Sequence, residues 1–189
     1  MEQVRKAALI EATIAEIGSR GTINVTVNQI AGRAGVSSAL AHHYFGGKED
    51  LLLEAMRHTL RLYGKEALRF LKQARTPRER VEGIIRAGFS PANFQRETIS
   101  AWLNFYVLAQ TNTGAHALWS LYQKRLRSNL IYGLKPMIGD RAYDAAARIA
   151  GLIDGLYLQE ALAARPTGPE IAARHVLTAL SQELGALND

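Results

Sequence analysis

Apolar residues recur every three or four positions along almost the whole chain, which is the spacing of amphipathic α-helices. Helices are predicted over residues 3–19, 26–34, 37–43, 47–74, 76–88, 93–111, 115–134, 140–164 and 169–185. The first helix is expected to bury a stripe formed by Val4, Ala7, Ala8, Ile10, Ile14 and Ile17. No segment shows the two-residue alternation that is typical of a strand. The pattern therefore predicts an all-α protein.

Capping residues and prolines mark where these helices begin and end. Thr76 and Pro77 suit the cap and the first turn of a helix, because proline has no N–H to lose there. Ser90-Pro91 and the segment 165–169 indicate breaks between helices. Pro136, followed by Gly139, is expected to interrupt the helix that begins near residue 115.

Residues 26–51 predict two short helices joined by a tight turn. Thr26 and Ser37 are good helix caps, and Gly35 supplies the backbone conformation that a sharp turn needs. The second short helix carries Leu40 as its one bulky aliphatic residue, so most of its surface is available to a partner. In a helix-turn-helix such a second helix enters the DNA major groove.

The same stretch closely resembles the DNA-binding signature of the TetR family of bacterial repressors. The matching positions are Thr26, Ile30, Ala31, Ala34-Gly35-Val36-Ser37, His43-Tyr44-Phe45, Lys48 and Glu49-Asp50-Leu51. The resemblance implies nine helices, with a TetR-like helix-turn-helix head over residues 1–46 and a ligand-binding, dimerising body over residues 47–189. A plain helical corner is the alternative, but it does not require Tyr44, Phe45 and Lys48 at these offsets.

The DNA contacts can be assigned by position. Ser38, Ala39 and His42 are expected to reach base edges, while the resemblance implies phosphate contacts for Tyr44 and Lys48. His43 is open between base readout on one side and a phosphate contact or a buried hydrogen bond on the other. Leu40 and Phe45 are expected in the core of the head. The candidate DNA-binding residues are Thr26, Ser37, Ser38, Ala39, His42, His43, Tyr44 and Lys48.

Charge is unevenly distributed along the chain. The formal net charge is +6 and the pI is about 9.8, which suits an anionic partner such as double-stranded DNA. Residues 1–50 nevertheless carry no net charge, whereas residues 51–75 carry +4 and residues 76–189 carry +2. We therefore expect a few placed contacts from Lys6, Arg33 and Lys48 rather than a broadly basic head.

Aromatic residues and one carboxylate suggest an effector site in the body. Several rings lie at helical spacings of three and four, and Asp154 interrupts the apolar segment 151–157. Aromatic faces beside a carboxylate suit a quaternary ammonium ion through cation–π attraction. The candidate ligand-binding residues are Trp102, Phe105, Tyr106, Trp119, Tyr122, Asp154 and Tyr157. Two alternatives remain open: the rings form the core, and Asp154 pairs with Arg125 or Arg148.

The body also resembles one branch of the TetR family, the choline-responsive repressors of glycine-betaine synthesis. The resemblance lies in residues 100–105, 122–123, 125–130 and 152–158. It implies a repressor that a small-molecule effector, choline or betaine aldehyde, releases from its operator. The long helix over residues 47–74, which joins head and body, would carry the conformational change.

The last two helices are expected to form a homodimer. Ala146, Ala150 and Gly151 permit close helix approach, and the final helix presents Ile171, Val176, Leu177, Leu180 and Leu184. Two such helices from each subunit would build a four-helix bundle. The alternative is that these faces close the core of the protomer. A two-fold pair can span half-sites about 34–36 Å apart on DNA.

Several other functions are not indicated by the sequence. The chain has no cysteine, no signal-peptide pattern and no apolar run long enough for a membrane span, so we expect a cytoplasmic protein. Nucleotide-binding and zinc-protease motifs are absent, and neither catalysis, a metal nor a cofactor is expected. His42 and His43 are adjacent on a helix and point about 100° apart, which disfavours chelation of one ion. An all-helical sensor or adaptor without specific DNA binding is the other candidate.

Overall fold

The computed structural model describes residues 1–185 and places them in nine α-helices, with no strand in that range. The helices are α1 Glu2–Arg20, α2 Val27–Ala34, α3 Ser38–Phe45, α4 Lys48–Gln73, α5 Pro77–Gly88, α6 Arg96–Ala109, α7 Thr113–Ile138, α8 Ala142–Leu162 and α9 Pro169–Gly185. A short 3₁₀ turn, Gly139–Arg141, precedes α8. The prediction of an all-α fold is confirmed. None of these helices is long and apolar enough to cross a membrane.

The chain forms two compact units that alternate along the sequence. The first unit contains Met1–Arg61 and Gln95–Trp119, and the second contains Leu62–Phe94 and the chain from Ser120 onward. Helices α4 and α7 therefore contribute residues to both units. The predicted division into a DNA-binding head, residues 1–46, and a body, residues 47–189, stays a functional proposal.

The first unit is built around α1, which packs against α2 and α6. Gly18 makes the α1–α6 approach possible, because a Cβ at this position would lie 2.5 Å from the carbonyl oxygen of Glu97. Asn112 caps the start of α7 by accepting a hydrogen bond from the backbone N–H of Ala115 at 2.8 Å, and its amide also donates to Glu49 at the start of α4.

The apolar stripe predicted for α1 is partly wrong. Val4 is 70% exposed and Ala7 is also exposed, while the buried face consists of Leu9, Ile10, Ala12, Thr13, Glu16 and Ile17. The sequence did not predict this buried face of α1 because Glu16 lies on it, and a carboxylate is rarely buried without partners. Here the partners are two arginines, described below.

The second unit packs α5 against α4, α7 and α9. A Cβ at Gly83 would lie 2.9 Å from the Cβ of Phe70, and one at Gly133 would lie 2.6 Å from Val81 Cγ2. These small residues let the helix backbones approach closely. Between α8 and α9, Arg148 donates from Nε to Glu183 Oε1 at 2.5 Å.

Helix α7 continues through Pro136, contrary to the predicted break. The proline lies in the last turn, where it costs one intrahelical hydrogen bond and leaves only two residues to follow. The close packing of Gly133 on Val81 supports the segment just before it. Gly139, with φ 58°, then ends the helix.

The protomer core uses part of the predicted dimer face. Ala146, Ala150, Val176 and Leu180 are buried within the protomer. Other apolar residues on the same two helices stay exposed, namely Leu158, Leu162 and Ile171. The alternative that these helices close the protomer core therefore holds for one face, and the predicted dimer contact through the exposed residues stays a proposal.

Candidate DNA-binding and effector sites

Local hydrogen bonds hold the two short helices of the first unit in a helix-turn-helix. Thr26 caps α2 by accepting from the Gln29 backbone N–H at 3.2 Å, and the Gln29 side chain accepts from the Thr26 N–H at 2.8 Å. Gly35 ends α2 with φ 68°, a conformation that glycine adopts without strain. Ser37 then caps α3 by accepting from the N–H of Leu40 at 3.2 Å. These caps confirm the predicted bounds of α2 and the predicted start of α3, whereas α3 ends at Phe45, two residues beyond the predicted end.

The predicted DNA-binding residues line one accessible segment from the start of α2 to the start of α4. Five of them are exposed: Thr26, Ser37, Ala39, His42 and His43. Ser38, Tyr44 and Lys48 are half-buried. Lys48 is the first residue of α4, where the free backbone N–H groups of a helix also favour a phosphate.

Two of these side chains are oriented by neighbours that the sequence did not reveal. The hydroxyl of Ser38 donates to Asn28 Oδ1 on α2 at 2.6 Å, which leaves its lone pairs as acceptors. His42 Nδ1 lies 3.1 Å from the carbonyl oxygen of Gly46. Because a carbonyl only accepts, this nitrogen carries the hydrogen and Nε2 is left to face a partner.

His43 and Tyr44 extend the same surface toward α1. Their rings lie 5.6 Å apart, and the Lys6 ammonium lies 5.3 Å from the centre of the Tyr44 ring. His43 is exposed, so the buried hydrogen bond considered for it is not found. Lys6 lies beside Tyr44, the predicted phosphate contact, and its ammonium is paired with the Glu2 carboxylate at 2.8 Å.

Leu40 and Phe45 are half-buried rather than in the core, so this part of the prediction is wrong. The buried residue of α3 is Ala41, with 1% of its surface exposed. Because α3 packs through this small alanine, it lies close to its neighbours. The larger Leu40 and Phe45 side chains then lie at the edge of the packing contact.

Arg33, expected to contact DNA, is held within the first unit. Its Nε donates to Glu16 Oε1 at 2.7 Å, while Arg20 Nε donates to Glu16 Oε2 at 2.6 Å. The hydrogen bonds from Arg33 and then Arg20 lower the pKa of the Glu16 carboxyl below its ordinary value. This arrangement links α1 to α2, and it occupies the charge that the sequence assigned to DNA.

The predicted effector residues fall in both compact units. Trp102 and Phe105 are buried in the first unit, where the Trp102 and Tyr106 rings lie 5.4 Å apart. Trp119 also belongs to the first unit, and its ring lies 5.6 Å from that of His116. Their burial and ring contacts fit the alternative that these aromatics pack the core.

The second unit brings Asp154 together with two tyrosines. Asp154 Oδ2 accepts a hydrogen bond from Gln123 Nε2 at 3.0 Å. Burial of the hydroxyls raises the pKa of Tyr63 and of Tyr157 above the ordinary value, and the negative charge of Asp154 raises both further. Asp154 is therefore close enough for its charge to act on both phenols.

Aromatic rings surround Tyr157 in the same unit. Its ring lies 5.1 Å from that of Phe94 and 5.8 Å from that of Phe89, and its hydroxyl donates to the Gly88 carbonyl oxygen. Tyr63 and Tyr122 form a second edge-on pair, with ring centres 5.5 Å apart. We call Tyr63, Phe89, Phe94, Tyr122, Gln123, Asp154 and Tyr157 the aromatic–carboxylate cluster.

Four members of this cluster were not predicted as site residues: Tyr63, Phe89, Phe94 and Gln123. They lie on α4, at the α5–α6 connection and on α7, far apart in sequence. Arg148, one of the two partners considered for Asp154, is paired with Glu183 instead. Within residues 1–185 no group of three or more His, Asp or Glu side chains is arranged to hold a metal ion.

An accessible helix held by a capped helix-turn-helix defines a DNA-binding regulator. The family model described as bacterial regulatory proteins of the tetR family matches residues 9–55. A second model, described as the C-terminal part of the BetI-type transcriptional repressor, matches residues 77–185. The chain belongs to the TetR family of bacterial transcriptional regulators, and its C-terminal part is of the BetI type.

Individual relatives agree with this assignment. The HTH-type transcriptional regulator BetI of Brucella canis is 50% identical over 165 residues, which cover 87% of this chain and 83% of that protein. The regulator of the same name from Rhizobium meliloti is 45% identical over 171 residues, covering 90% of this chain and 84% of that protein. The predictions of a DNA-binding repressor and of a protein that is not an enzyme are confirmed.

Solved structures show the same fold. A transcriptional regulator from Pseudomonas aeruginosa PAO1 is 26% identical, with a TM-score of 0.81 over 98% of this chain and 93% of that one. A regulator from Saccharomonospora viridis, solved in complex with choline, is 24% identical, with a TM-score of 0.78 over 93% and 95% of the two chains. TetR-family regulators bind operators and effectors and are usually dimers.

Proposed function

We propose that this chain acts in the cytoplasm as a homodimeric repressor that a small quaternary ammonium ion, choline or betaine aldehyde, releases from its operator. The aromatic–carboxylate cluster of the second unit is the observation that supports a quaternary ammonium effector. The helix-turn-helix over residues 26–48 carries the DNA assignment.

On the DNA side, Ser38, Ala39 and His42 read base edges in the major groove. Ser38 offers acceptor lone pairs because its hydrogen is directed to Asn28, so it favours a base amino group as its donor. Tyr44 and Lys48 hold phosphates, as Thr26, Ser37 and His43 do at the edges of the same surface. In a dimer these contacts are made twice, which offsets the absence of net charge in residues 1–50.

On the effector side, the cluster offers both features that a trimethylammonium group recognises. Aromatic faces attract the cation through their quadrupole, and a nearby carboxylate adds a full charge. Tyr157 is held in place by its hydrogen bond to Gly88 and by ring contacts with Phe89 and Phe94. The resemblance to the choline-responsive branch supports the same ligand, and a protein of this fold binds choline.

Effector binding must then oppose operator binding. An effector shifts a two-state equilibrium only by its differential affinity for the two states. Helix α4 runs without a break from Lys48, beside the predicted phosphate contacts, to Gln73, and Tyr63 of the aromatic–carboxylate cluster lies on it. We propose that α4 transmits the change that alters the spacing of the two recognition helices.

Replacing Asp154 by asparagine should weaken choline binding by about tenfold or more, because the variant keeps the shape and loses the charge that faces the cation. Isothermal titration calorimetry with choline on the full chain measures this change. Asp144→Asn is the matched control, since Asp144 is an exposed carboxylate on the same helix. Absence of choline binding to the unmodified protein, or equal weakening by Asp144→Asn, would contradict the proposed effector site.

A further inference from the structure

A groove lies in the second unit, and none of its lining residues belongs to the aromatic–carboxylate cluster. It follows the connection from α4 to α5 and the end of α7, and its volume is about 670 Å³. Pockets for small ligands commonly measure about 300–1,000 Å³. Its lining includes Arg75, Pro77, Arg80, Tyr132, Lys135 and Pro136, so it combines three cations with one aromatic ring and two prolines.

Salt bridges do not neutralise the three cations of the groove. Within residues 1–185, seven other arginines are paired with glutamates, namely Arg20, Arg33, Arg57, Arg61, Arg69, Arg78 and Arg148. Within the same range Arg75, Arg80 and Lys135 form no salt bridge, and no carboxylate lines the groove. The lining therefore concentrates three positive side chains, and the Glu79 carboxylate beside it is bonded to the backbone N–H groups of Arg75 and Thr76.

Arg80 carries an unused hydrogen-bond donor. Its Nε is buried and has no acceptor within residues 1–185. Buried donors in folded proteins are almost always paired, so an exception calls for an explanation. The guanidinium lies 4.9 Å from the centre of the Tyr132 ring, which holds its plane beside an aromatic side chain that is itself 68% exposed.

The end of α5 does not explain the groove by itself. Pro77 has no N–H, and the backbone N–H of Glu79 donates to the Thr76 hydroxyl oxygen at 3.1 Å. The Glu79 carboxylate accepts from the backbone N–H groups of Arg75 and Thr76, just before the helix, at 2.6 and 3.3 Å. Lys135 lies 3.4 Å from the hydroxyl of Tyr143, a neutral partner that leaves its charge in place. The positive character thus comes from side chains of α5, α7 and the connection before α5.

We propose that this groove is a second ligand-binding site, which binds a small organic anion that carries a carboxylate or phosphate group on a planar body. Arginine recognises both groups through paired hydrogen bonds, and lysine adds a point charge. The Tyr132 ring and the prolines provide an apolar wall for the rest of the molecule. The site takes a ligand of opposite charge to the one proposed for the aromatic–carboxylate cluster.

Calorimetry on the full chain at low ionic strength tests this site with salicylate, adenosine monophosphate, inorganic phosphate and neutral adenosine. We expect salicylate or adenosine monophosphate to bind with a Kd below about 1 mM. Inorganic phosphate and adenosine should bind at least about tenfold more weakly, since each lacks one of the two features. Tighter binding of salicylate would indicate that the site takes carboxylates, whereas tighter binding of adenosine monophosphate would indicate that it takes phosphates.

Arg80→Gln and Lys135→Gln should each raise the Kd of the bound anion by about tenfold. Arg78→Gln is the matched control, because Arg78 lies on the same turn of α5 but is paired with Glu82 at 2.8 Å. It should change the Kd by less than about twofold, the scale of a screened surface charge. Saturating choline should leave the anion affinity unchanged.

The proposal is overturned if neither organic anion binds the unmodified protein with a Kd below about 1 mM. Equal weakening by Arg78→Gln would also overturn it, since net charge and not the groove would then explain binding. Competition by choline would do the same, because both ligands would share one site. The first two outcomes do not depend on whether choline binds the aromatic–carboxylate cluster.

Discussion

Replacing Leu158 by glutamate should convert a dimer into monomers and lower operator affinity by about a hundredfold or more. Leu158 on α8 is 48% exposed, and Leu162 and Ile171 nearby in sequence are 76% and 42% exposed. A dimer interface that buries these residues would also bury the new carboxylate without a partner, which costs several kcal/mol. A monomer presents one recognition helix and loses the gain of about 10²–10⁴ from paired binding.

Light scattering on the eluted protein measures the mass, and titration of a labelled operator measures the affinity. Leu68→Glu is the matched control, because Leu68 is 52% exposed on α4 and is assigned to no interface. This control should stay dimeric and bind the operator normally. A Leu158→Glu protein that remains a dimer with full affinity would show that α8 and α9 do not form the interface.

Changing both Ser38 and His42 to alanine should lower the preference for the operator over unrelated DNA by about ten- to a hundredfold. Each base contact of this kind is worth about 1–3 kcal/mol in discrimination. Lys48→Ala should instead weaken binding to both DNAs alike and reduce the salt slope by about one, because it removes one phosphate contact. Fluorescence anisotropy with two duplexes at several salt concentrations measures both effects.

Arg33→Gln serves as the control for charge. Arg33 lies in the same unit but is paired with Glu16, so its loss should leave the salt slope unchanged. A Lys48→Ala protein that changed only sequence preference would contradict the phosphate assignment. Loss of affinity for both DNAs in the Ser38 and His42 double variant, with preference unchanged, would contradict base reading by this helix.

Helix boundaries could be predicted where a local chemical marker sets them. Thr26, Gly35 and the Thr76-Pro77 pair act through hydrogen bonds and backbone preferences of adjacent residues, and the structure shows their caps in place. The buried face of α1 could not be predicted in the same way, because Glu16 belongs to it only through partners 4 and 17 residues away. Pro136 was misjudged since its effect depends on the distance to the helix end.

The DNA-binding site and the aromatic–carboxylate cluster also differ in how far apart their residues lie along the sequence. The DNA-binding residues lie within one stretch of 23 positions, so a local signature suffices to identify them. The aromatic–carboxylate cluster is assembled from α4, the α5–α6 connection, α7 and α8. Asp154 and Tyr157 could be proposed from their own segment, whereas Tyr63, Phe89 and Phe94 gain their meaning only from contacts in the folded chain.

In the proposed mechanism, effector binding and operator binding oppose one another. Reciprocity requires choline to lower operator affinity by the same factor by which the operator lowers choline affinity. Operator titrations with and without saturating choline measure this factor directly, and couplings of this kind usually lie at about 5–150-fold. We predict release of the operator within that range. Unchanged operator affinity while choline is bound would contradict this coupling between the two sites.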